Sequence, residues 1–332
     1  MTFPSAAYSI ALDKILPRLA VEVLQRNVPL DHLCTLRVGG RADWLLVAET
    51  VDVLAGAVAA VQRANYPYHV LGEGSNILPS DKGVRGLVIV NRCTSLELGT
   101  TVRVDTGIGL MMLSFQAMRA GLSGLEWAVG IPGTLGGALV SNAGAYRGNI
   151  GPLVQRIEIV EGAFRRWEPR EWMDFSYRNS RLRHGGGLPA CLLRAELRLS
   201  PDNTPEIRSR AREFQRQRIP KQPWIPSAGS FFKNVNDSEL ANNLPGLPEP
   251  LRKAGVVPAA YLSESVGCKG LRVGGAMVAA RHANFIVNTG NATANDIFSA
   301  AELVKERVFS KFNVLLEEEV LRIGDWSCIG QP

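Results

Sequence analysis

Between Gly121 and Gly148 the chain carries eight glycines, with Gly130-Ile131-Pro132-Gly133-Thr134-Leu135-Gly136-Gly137 at the centre and Asn142-Ala143-Gly144 just beyond. Glycine loses more backbone freedom on ordering than any other residue. Such a run is therefore kept where the backbone must turn tightly or let another body come close. A series of tight turns and a wall against a flat or phosphorylated ligand satisfy it equally. A smaller cluster, Gly72-Glu73-Gly74-Ser75-Asn76, directly follows a strand-like run, Tyr68 to Leu71. Gly-x-Gly after a strand invites a doubly wound dinucleotide site, but the spacing excludes it. Ile77 holds the place of the third glycine, and the next apolar run, Gly86 to Val90, begins before a crossover helix of about ten residues could fit. Two readings remain: a hairpin with Ser75 and Asn76 in its turn, or a loop whose successive amides form a nest for a pyrophosphate.

The chain has 332 residues, more than the roughly 250–300 that a single core sustains, so two or three domains are expected. Glycine stands at 33 residues, above its usual share of about 7%. The 46% apolar and 20% charged fractions are otherwise those of an ordinary globular protein, which excludes disordered, collagen-like and disulfide-scaffold classes. The net charge of +6 permits an anionic partner without identifying one. Cys34, Cys93, Cys191, Cys268 and Cys328 are dispersed, with no Cys-x-x-Cys spacing. Reduced thiols in a cytoplasmic protein are expected, with no structural metal. Arg18, Glu22 and Arg26 interrupt the apolar stretch from Ile15 to Val28, and no run of 18 apolar residues occurs, so neither secretion nor membrane insertion is expected.

Periodicity predicts an N-terminal helix over residues 11–25, a strand over 43–47, a helix over 51–63, and strands over 68–71, 86–90 and 101–105. A helix over 111–120 and strands over 156–161 and 191–199 follow, giving an α+β arrangement. A helix over 206–219 carries Arg208, Arg210, Arg212, Arg216 and Arg218. It lacks interleaved aromatics, so it reads as a solvated basic face and not as a nucleic-acid site. Pro220, Pro223 and Pro226 end it and mark the best domain boundary. A last helix begins after Thr293, whose hydroxyl can cap it together with Asp296. Its stripe is Ile297, Ala301, Val304, Val308 and Phe312, and a strand over 314–323 closes the chain.

The ordered strings Leu36-Arg37-Val38-Gly39-Gly40, Gly72-Glu73-Gly74-Ser75-Asn76, Gly130-Ile131-Pro132-Gly133, Asn142-Ala143-Gly144-Ala145-Tyr146, Ser176-Tyr177-Arg178-Asn179-Ser180 and Ala228-Gly229-Ser230-Phe231-Phe232-Lys233-Asn234 resemble the UDP-N-acetylenolpyruvoylglucosamine reductase family. Lys269-Gly270, Gly274-Gly275-Ala276, the run from His282 to Asn288, and Glu319-Val320 extend the resemblance, which spans about Asn27 to Gly324. It implies an α+β fold: a two-lobed FAD-binding domain of the vanillyl-alcohol-oxidase (PCMH) type over 1–219, with lobes at about 27–90 and 91–219. A C-terminal α+β substrate-binding domain would occupy 220–332. It further implies noncovalent FAD, NADPH as co-substrate, a UDP-sugar substrate, and a monomer without nucleic-acid or membrane partners. His69, before the first glycine loop, is then structural and not a covalent flavin anchor.

The implied reaction reduces the enolpyruvyl group of UDP-N-acetylglucosamine enolpyruvate to the lactyl ether of UDP-N-acetylmuramate, a step of peptidoglycan precursor synthesis. Such chemistry requires a flavin platform, an enolate stabiliser and a proton donor. The resemblance gives Ser230 as proton donor, Arg178 as the cation for substrate carboxylate and enolate, and Glu319 as the supporting carboxyl. It gives Gly72, Glu73, Gly74, Ser75, Asn76, Gly130, Ile131, Pro132, Gly133, Gly137, Asn142, Gly144 and Tyr146 to FAD. Tyr177, Lys221, Asn234 and His282 go to the substrate. From the residues alone, Ser230 reads as a turn or helix-cap serine. Glu317, Glu318 and Glu319 read as a solvated edge, in which alternation would put Glu317 and Glu319 on one side.

Several positions depart from the family pattern: Arg41, Arg147, Val235, and Leu321 in place of an arginine two residues after the glutamate. Arg322 would compensate only if the strand twists or bulges. The short interval from Ser180 to Cys191 lacks the tyrosine-bearing hairpin of the family's longer form. Two alternatives stay open: another FAD-dependent oxidoreductase of the same fold, such as a sugar or hydroxy-acid oxidase, and a noncatalytic nucleotide-binding protein.

Overall fold

A computed structural model of the chain describes residues 12–16, 24–99, 101–183 and 190–327. Residues 11 and 17–23 of the expected N-terminal helix, residues 184–189 of the shortened interval, and Cys328 lie outside the described residues. Leu12–Ile15 is helical, but the helix does not reach residue 25, because Gln25 already belongs to a strand paired with Leu45.

The first lobe runs β1 (Gln25–Pro29), β2 (Arg41–Ala48), α1 (Val51–Arg63), β3 (Tyr68–Leu71), β4 (Ile77–Pro79) and β5 (Val84–Asn91). The sheet order is β1-β2-β5-β3, with β2 and β3 both parallel to β5. The central strand β5 is buried along almost its whole length, as a strand covered on both faces must be. In α1, Thr50 accepts a hydrogen bond from the Val53 amide, and Leu54, Ala57, Val58 and Val61 form the buried stripe. The hairpin reading of Gly72 to Asn76 is corrected here. β4, the strand after the loop, does not pair with β3; it pairs in parallel with the last strand of the chain.

The second lobe comprises β6 (Leu96–Glu97), β7 (Val102–Asp105), α2 (Leu110–Arg119), α3 (Leu135–Ser141), β8 (Val154–Glu161), β9 (Phe164–Pro169), β10 (Cys191–Leu197) and α4 (Thr204–Arg218). Its antiparallel sheet has the order β9-β8-β10-β7-β6. Helix α4 buries Ile207 and Ala211. Arg210 binds Glu126 and Asp202 at 2.8 and 2.5 Å, while Arg208, Arg212 and Arg216 face solvent.

The third part contains the meander β11 (Arg272–Val273), β12 (Ala276–Val278) and β13 (Ile286–Asn288), then α5 (Ala294–Phe312) and β14 (Leu321–Ile323). Thr293 and Asp296 form the expected capping box, and Ile297, Ala301, Val304 and Val308 are buried. Only the end of the expected strand 314–323 is regular, because residues 317–319 bond instead to the segment around Phe232. Lys233 donates to the Glu317 carbonyl at 2.8 Å and Glu319 to the Phe231 carbonyl at 2.7 Å. Cys34, Leu36, Val38 and Leu78 of the first lobe are buried in this third core. Asn288 donates to the Leu36 and Arg37 carbonyls at 3.0 and 3.1 Å. The first and third parts thus share one core although they are distant in sequence.

Candidate active site

A cavity of about 1080 Å3 lies where the three parts meet, lined by both glycine clusters, by Ala228 to Ser230 and by Glu319. That volume exceeds the roughly 300–1,000 Å3 of ordinary ligand pockets, as a site for a large cofactor and a second molecule requires.

Most of the glycines lining it are demanded by close approach of the protein's own side chains and backbone. A Cβ on Gly72 would stand 2.2 Å from Thr134 Oγ1, and one on Gly133 2.6 Å from Ser75 Oγ, so the two clusters interlock. Gly74, at φ +63°, would put a Cβ 1.9 Å from the Leu33 carbonyl oxygen. Gly144 faces Gly148 and Asn149 in the same way, and Gly130 lies against Arg218. Gly137, with only Thr134 Oγ1 at 3.8 Å, keeps open space beside the cavity. Glu73 ties the clusters together by accepting the Gly133 amide at 2.9 Å, and Ser75 Oγ donates to the Pro132 carbonyl at 3.3 Å.

The amides at the start of α3 are already used. Leu135 donates to Ile108, Gly136 to Thr106, and Gly137 to Thr134 Oγ1. By contrast, the amides of Glu73, Gly74 and Ser75 donate to no group among the described residues. Unpaired successive amides beside a glycine at positive φ are an anion nest. This loop therefore fits the diphosphate of FAD, and the glycine wall, interrupted by Ile131 and Pro132, gives its flat ring a surface with few side chains. His69 lines the same cavity, and burial pushes its pKa down, which favours the neutral ring.

The register of the three glutamates is settled by their partners. The Glu317 side chain is 63% exposed and pairs with Lys233. Glu318 turns to the opposite side and binds Lys305 at 2.5 Å. Glu319 turns to the cavity, 18% exposed, with Oε1 2.9 Å from Arg178 Nε. That contact is an ion pair whose angle does not make a hydrogen bond. Burial pushes the Glu319 carboxyl up, and the charges of Arg178, Arg183 and Lys233 only partly offset it. Arg178 sits in the left-handed region at φ +51° and donates to the Gly144 carbonyl at 2.7 Å, which fixes its guanidinium at the cavity wall.

Ser230 follows Gly229, whose φ of +77° suits glycine even though a Cβ there would meet nothing within 4 Å. The turn is held by Asn284, buried at 3%. Its carbonyl accepts from Phe231 at 2.7 Å, its Oδ1 accepts from Phe232 at 2.9 Å, and its Nδ2 donates to the Phe232 carbonyl at 2.8 Å. Sequence reasoning passed over Asn284 as one letter of a motif.

The other expected residues are placed less directly. Asn142 does not line the cavity: its amide is spent on the Ser176 carbonyl at 2.8 Å and the Gly151 amide at 3.1 Å. Tyr146 stacks on Phe214 at 4.7 Å and donates to the Phe214 carbonyl at 3.1 Å. Asn76 lines the cavity, and its side chain donates to the Glu319 carbonyl at 3.0 Å. Tyr177 lies near the Asn234 backbone, while the Asn234 side chain accepts from Ala259 at 3.3 Å. His282 packs edge-on against Phe285, and Lys221 is near enough to help depress its pKa after burial. These four fall outside the cavity lining, whereas Gln222 and Pro223 line it. Leu321 and Arg322 both line it too, but Arg322 is engaged by Glu318 at 3.5 Å and by the Phe298 ring at 5.2 Å. Among the described residues no group of three His, Cys, Asp or Glu side chains could hold a metal ion, and no helix is long and apolar enough to cross a membrane.

Comparison with known proteins places these features in a lineage. Residues 220–323 match the family model of the UDP-N-acetylenolpyruvoylglucosamine reductase C-terminal domain, and residues 42–163 match an FAD binding domain. A reductase of that name from Synechococcus sp. (strain JA-3-3Ab) is 37% identical over 310 residues, covering 91% of this chain and 92% of that protein. One from Alkaliphilus oremlandii is 35% identical, covering 95% and 97%. The crystal structure of the Thermus caldophilus enzyme superposes with a TM-score of 0.72 at 33% identity, covering 90% of this chain and 98% of that one.

Proposed function

The chain belongs to the UDP-N-acetylenolpyruvoylglucosamine reductase family, and on that premise we propose that Ser230, Arg178 and Glu319 carry out its reaction. That reaction is the FAD-mediated, NADPH-dependent reduction of UDP-N-acetylglucosamine enolpyruvate to UDP-N-acetylmuramate for peptidoglycan precursors. The observation that carries this assignment is the Arg178–Glu319 pair at 2.9 Å in the cavity that also holds the free-amide loop and Ser230.

The loop from Glu73 to Ser75 and the glycine wall would hold FAD, which, when reduced by NADPH, would supply a hydride to the β-carbon of the enol ether. Arg178, permanently charged and fixed by the Gly144 carbonyl, binds the substrate carboxylate and faces the charge that develops beside it. Glu319, raised in pKa by burial, holds a proton more readily than a solvated glutamate and donates it in a hydrogen bond to the same charge. The Ser230 hydroxyl gives up its proton to the α-carbon, and the Asn284 clamp fixes where that hydroxyl stands. Gly229 beside it keeps the approach clear.

Tyr177, Lys221, Asn234 and His282, outside the cavity lining, receive the diphosphate and uridine where the nucleotide extends beyond it. The part up to residue 219 binds FAD and the part from residue 220 binds the nucleotide. The protein works as a cytoplasmic monomer.

The test is spectroscopic. The purified protein should show the visible absorption of oxidised flavin and bleach on anaerobic titration with NADPH. Colour should return on adding the enolpyruvyl nucleotide. Ser230→Ala should bleach at a nearly normal rate and recover slower by orders of magnitude. Equal recovery in both proteins would remove Ser230 from its role, and a colourless protein that refuses added FAD would overturn the assignment altogether.

A further inference from the structure

Arg183 is buried to 6% exposure and lines the cavity beside Arg178 and Glu319. Its Nη2 donates to the Glu319 carbonyl at 2.6 Å, and its Nε and Nη1 are buried with no hydrogen-bond partner among the described residues. No carboxylate among the described residues forms an ion pair with it, and burial pushes its pKa down. A guanidinium withdrawn from water with two unused donors is strongly disfavoured unless an anion completes it. Glu319 cannot do so: even when ionised its single negative charge lies against Arg178, so the three side chains carry a surplus of at least one positive charge.

We infer that Arg183 is an anion-binding residue of the reaction centre, a second fixed cation that receives a negative charge of the bound molecules. This deepens the reductase assignment and rests on it. Two sources supply that charge: the carboxylate of the enolpyruvyl substrate, or the pyrimidine edge of the flavin ring, which becomes anionic on two-electron reduction. The hydrogen bond to the Glu319 carbonyl holds the guanidinium in register with the segment that presents Glu319, so one stretch of backbone positions both charges.

The experiment compares FAD-loaded wild type, Arg183→Gln and Arg183→Lys, each first checked for flavin content and thermal midpoint. Dissociation constants are measured for the enolpyruvyl nucleotide and for UDP-N-acetylglucosamine, which lacks the carboxylate, and the midpoint potential of bound FAD is measured against a reference dye. If the substrate carboxylate is the anion, Arg183→Gln weakens the enolpyruvyl nucleotide by about tenfold or more and leaves the other nucleotide unchanged. If the reduced flavin is the anion, the variant loses about tenfold of its preference for the reduced cofactor, a fall of about 30 mV for a two-electron couple. In either case Arg183→Lys recovers part of the loss. A folded, flavin-loaded Arg183→Gln protein with unchanged nucleotide discrimination and unchanged potential overturns the inference. A wild type that holds FAD but takes neither nucleotide refutes the reductase assignment instead, and the potentials alone then decide Arg183.

Discussion

Replacing Asn284 by alanine isolates the clamp beneath the proton donor. Its side chain satisfies both backbone groups of Phe232, the amide at 2.9 Å and the carbonyl at 2.8 Å, inside a site where Phe232 is 1% exposed. Each buried polar group left without a partner costs about 1–3 kcal/mol, so the pair sums to about 2–6 kcal/mol. Water entering the space vacated by the amide recovers part of this, which places the expected loss at about 3 kcal/mol. The Phe231 amide keeps its bond to the residue 284 carbonyl, so the segment loosens without detaching. Denaturant unfolding of the FAD-loaded protein followed by circular dichroism measures the stability term. Rapid mixing measures the two half-reactions. Flavin reduction by NADPH should be nearly unchanged, while reoxidation by the enolpyruvyl nucleotide should slow by about tenfold or more, since a displacement of about 1 Å at a reacting group is enough for that. A variant that matches wild type in stability, or that slows both half-reactions equally, would refute the argument that Asn284 positions Ser230.

Gly74→Ala requires a left-handed alanine, at about 1–2 kcal/mol, and also a Cβ 1.9 Å from the Leu33 carbonyl oxygen. The loop must therefore move, and the variant should purify with far less FAD. Gly229→Ala, at a similar positive φ with nothing within 4 Å, should keep its FAD. Equal flavin content in the two variants would show that close approach is not what Gly74 provides. For Glu319 the pH dependence has a definite sign. Burial raises its folded-state pKa, so as pH climbs past about 4.3 the unfolded chain ionises first. The carboxyl's contribution to stability then falls until pH passes the raised folded value. Glu319→Gln should gain on wild type across that window and hold a constant difference above it, as read from denaturant midpoints at successive pH values. A difference that stays flat with pH would mean the carboxyl is not shifted.

Local signals were legible in the sequence. The 3.6-residue stripe of α1, the β-rich run of β3 and the Thr293–Asp296 cap of α5 appear at the expected residues, because each rests on neighbours within a few positions. Interactions across long separations were not. The orientation of Glu317, Glu318 and Glu319 depends on Lys233, Lys305 and Arg178, none of which can be paired with them from spacing. The glycines drew attention to the right place for an incomplete reason: Gly72, Gly74 and Gly133 make room chiefly for Thr134, Leu33 and Ser75, and the cofactor benefits from the loops those contacts fix. Arg183 escaped notice because Arg181-Leu182-Arg183 looks like any solvated basic loop, and only burial distinguishes its third member. Tyr146 and Asn142 stand next to the site in sequence, yet both are absorbed by the protein's own polar groups.

The pairing of β14 with β4 joins Leu321 to Ile77 and Ile323 to Pro79. It has a consequence for the order in which the protein becomes competent during synthesis. The loop that carries the free amides is made early, but the edge of the strand that follows it stays open until the ribosome has delivered Leu321 to Ile323. Until then Ile77 and Leu78 offer an unpaired, apolar strand edge, the kind of surface that associates with neighbouring chains. A chain that stops before Glu319 would therefore lose more than its tail. It would lack the carboxyl and the protection of that edge at once, which makes the arrival of β14 the step that separates an association-prone intermediate from a working enzyme.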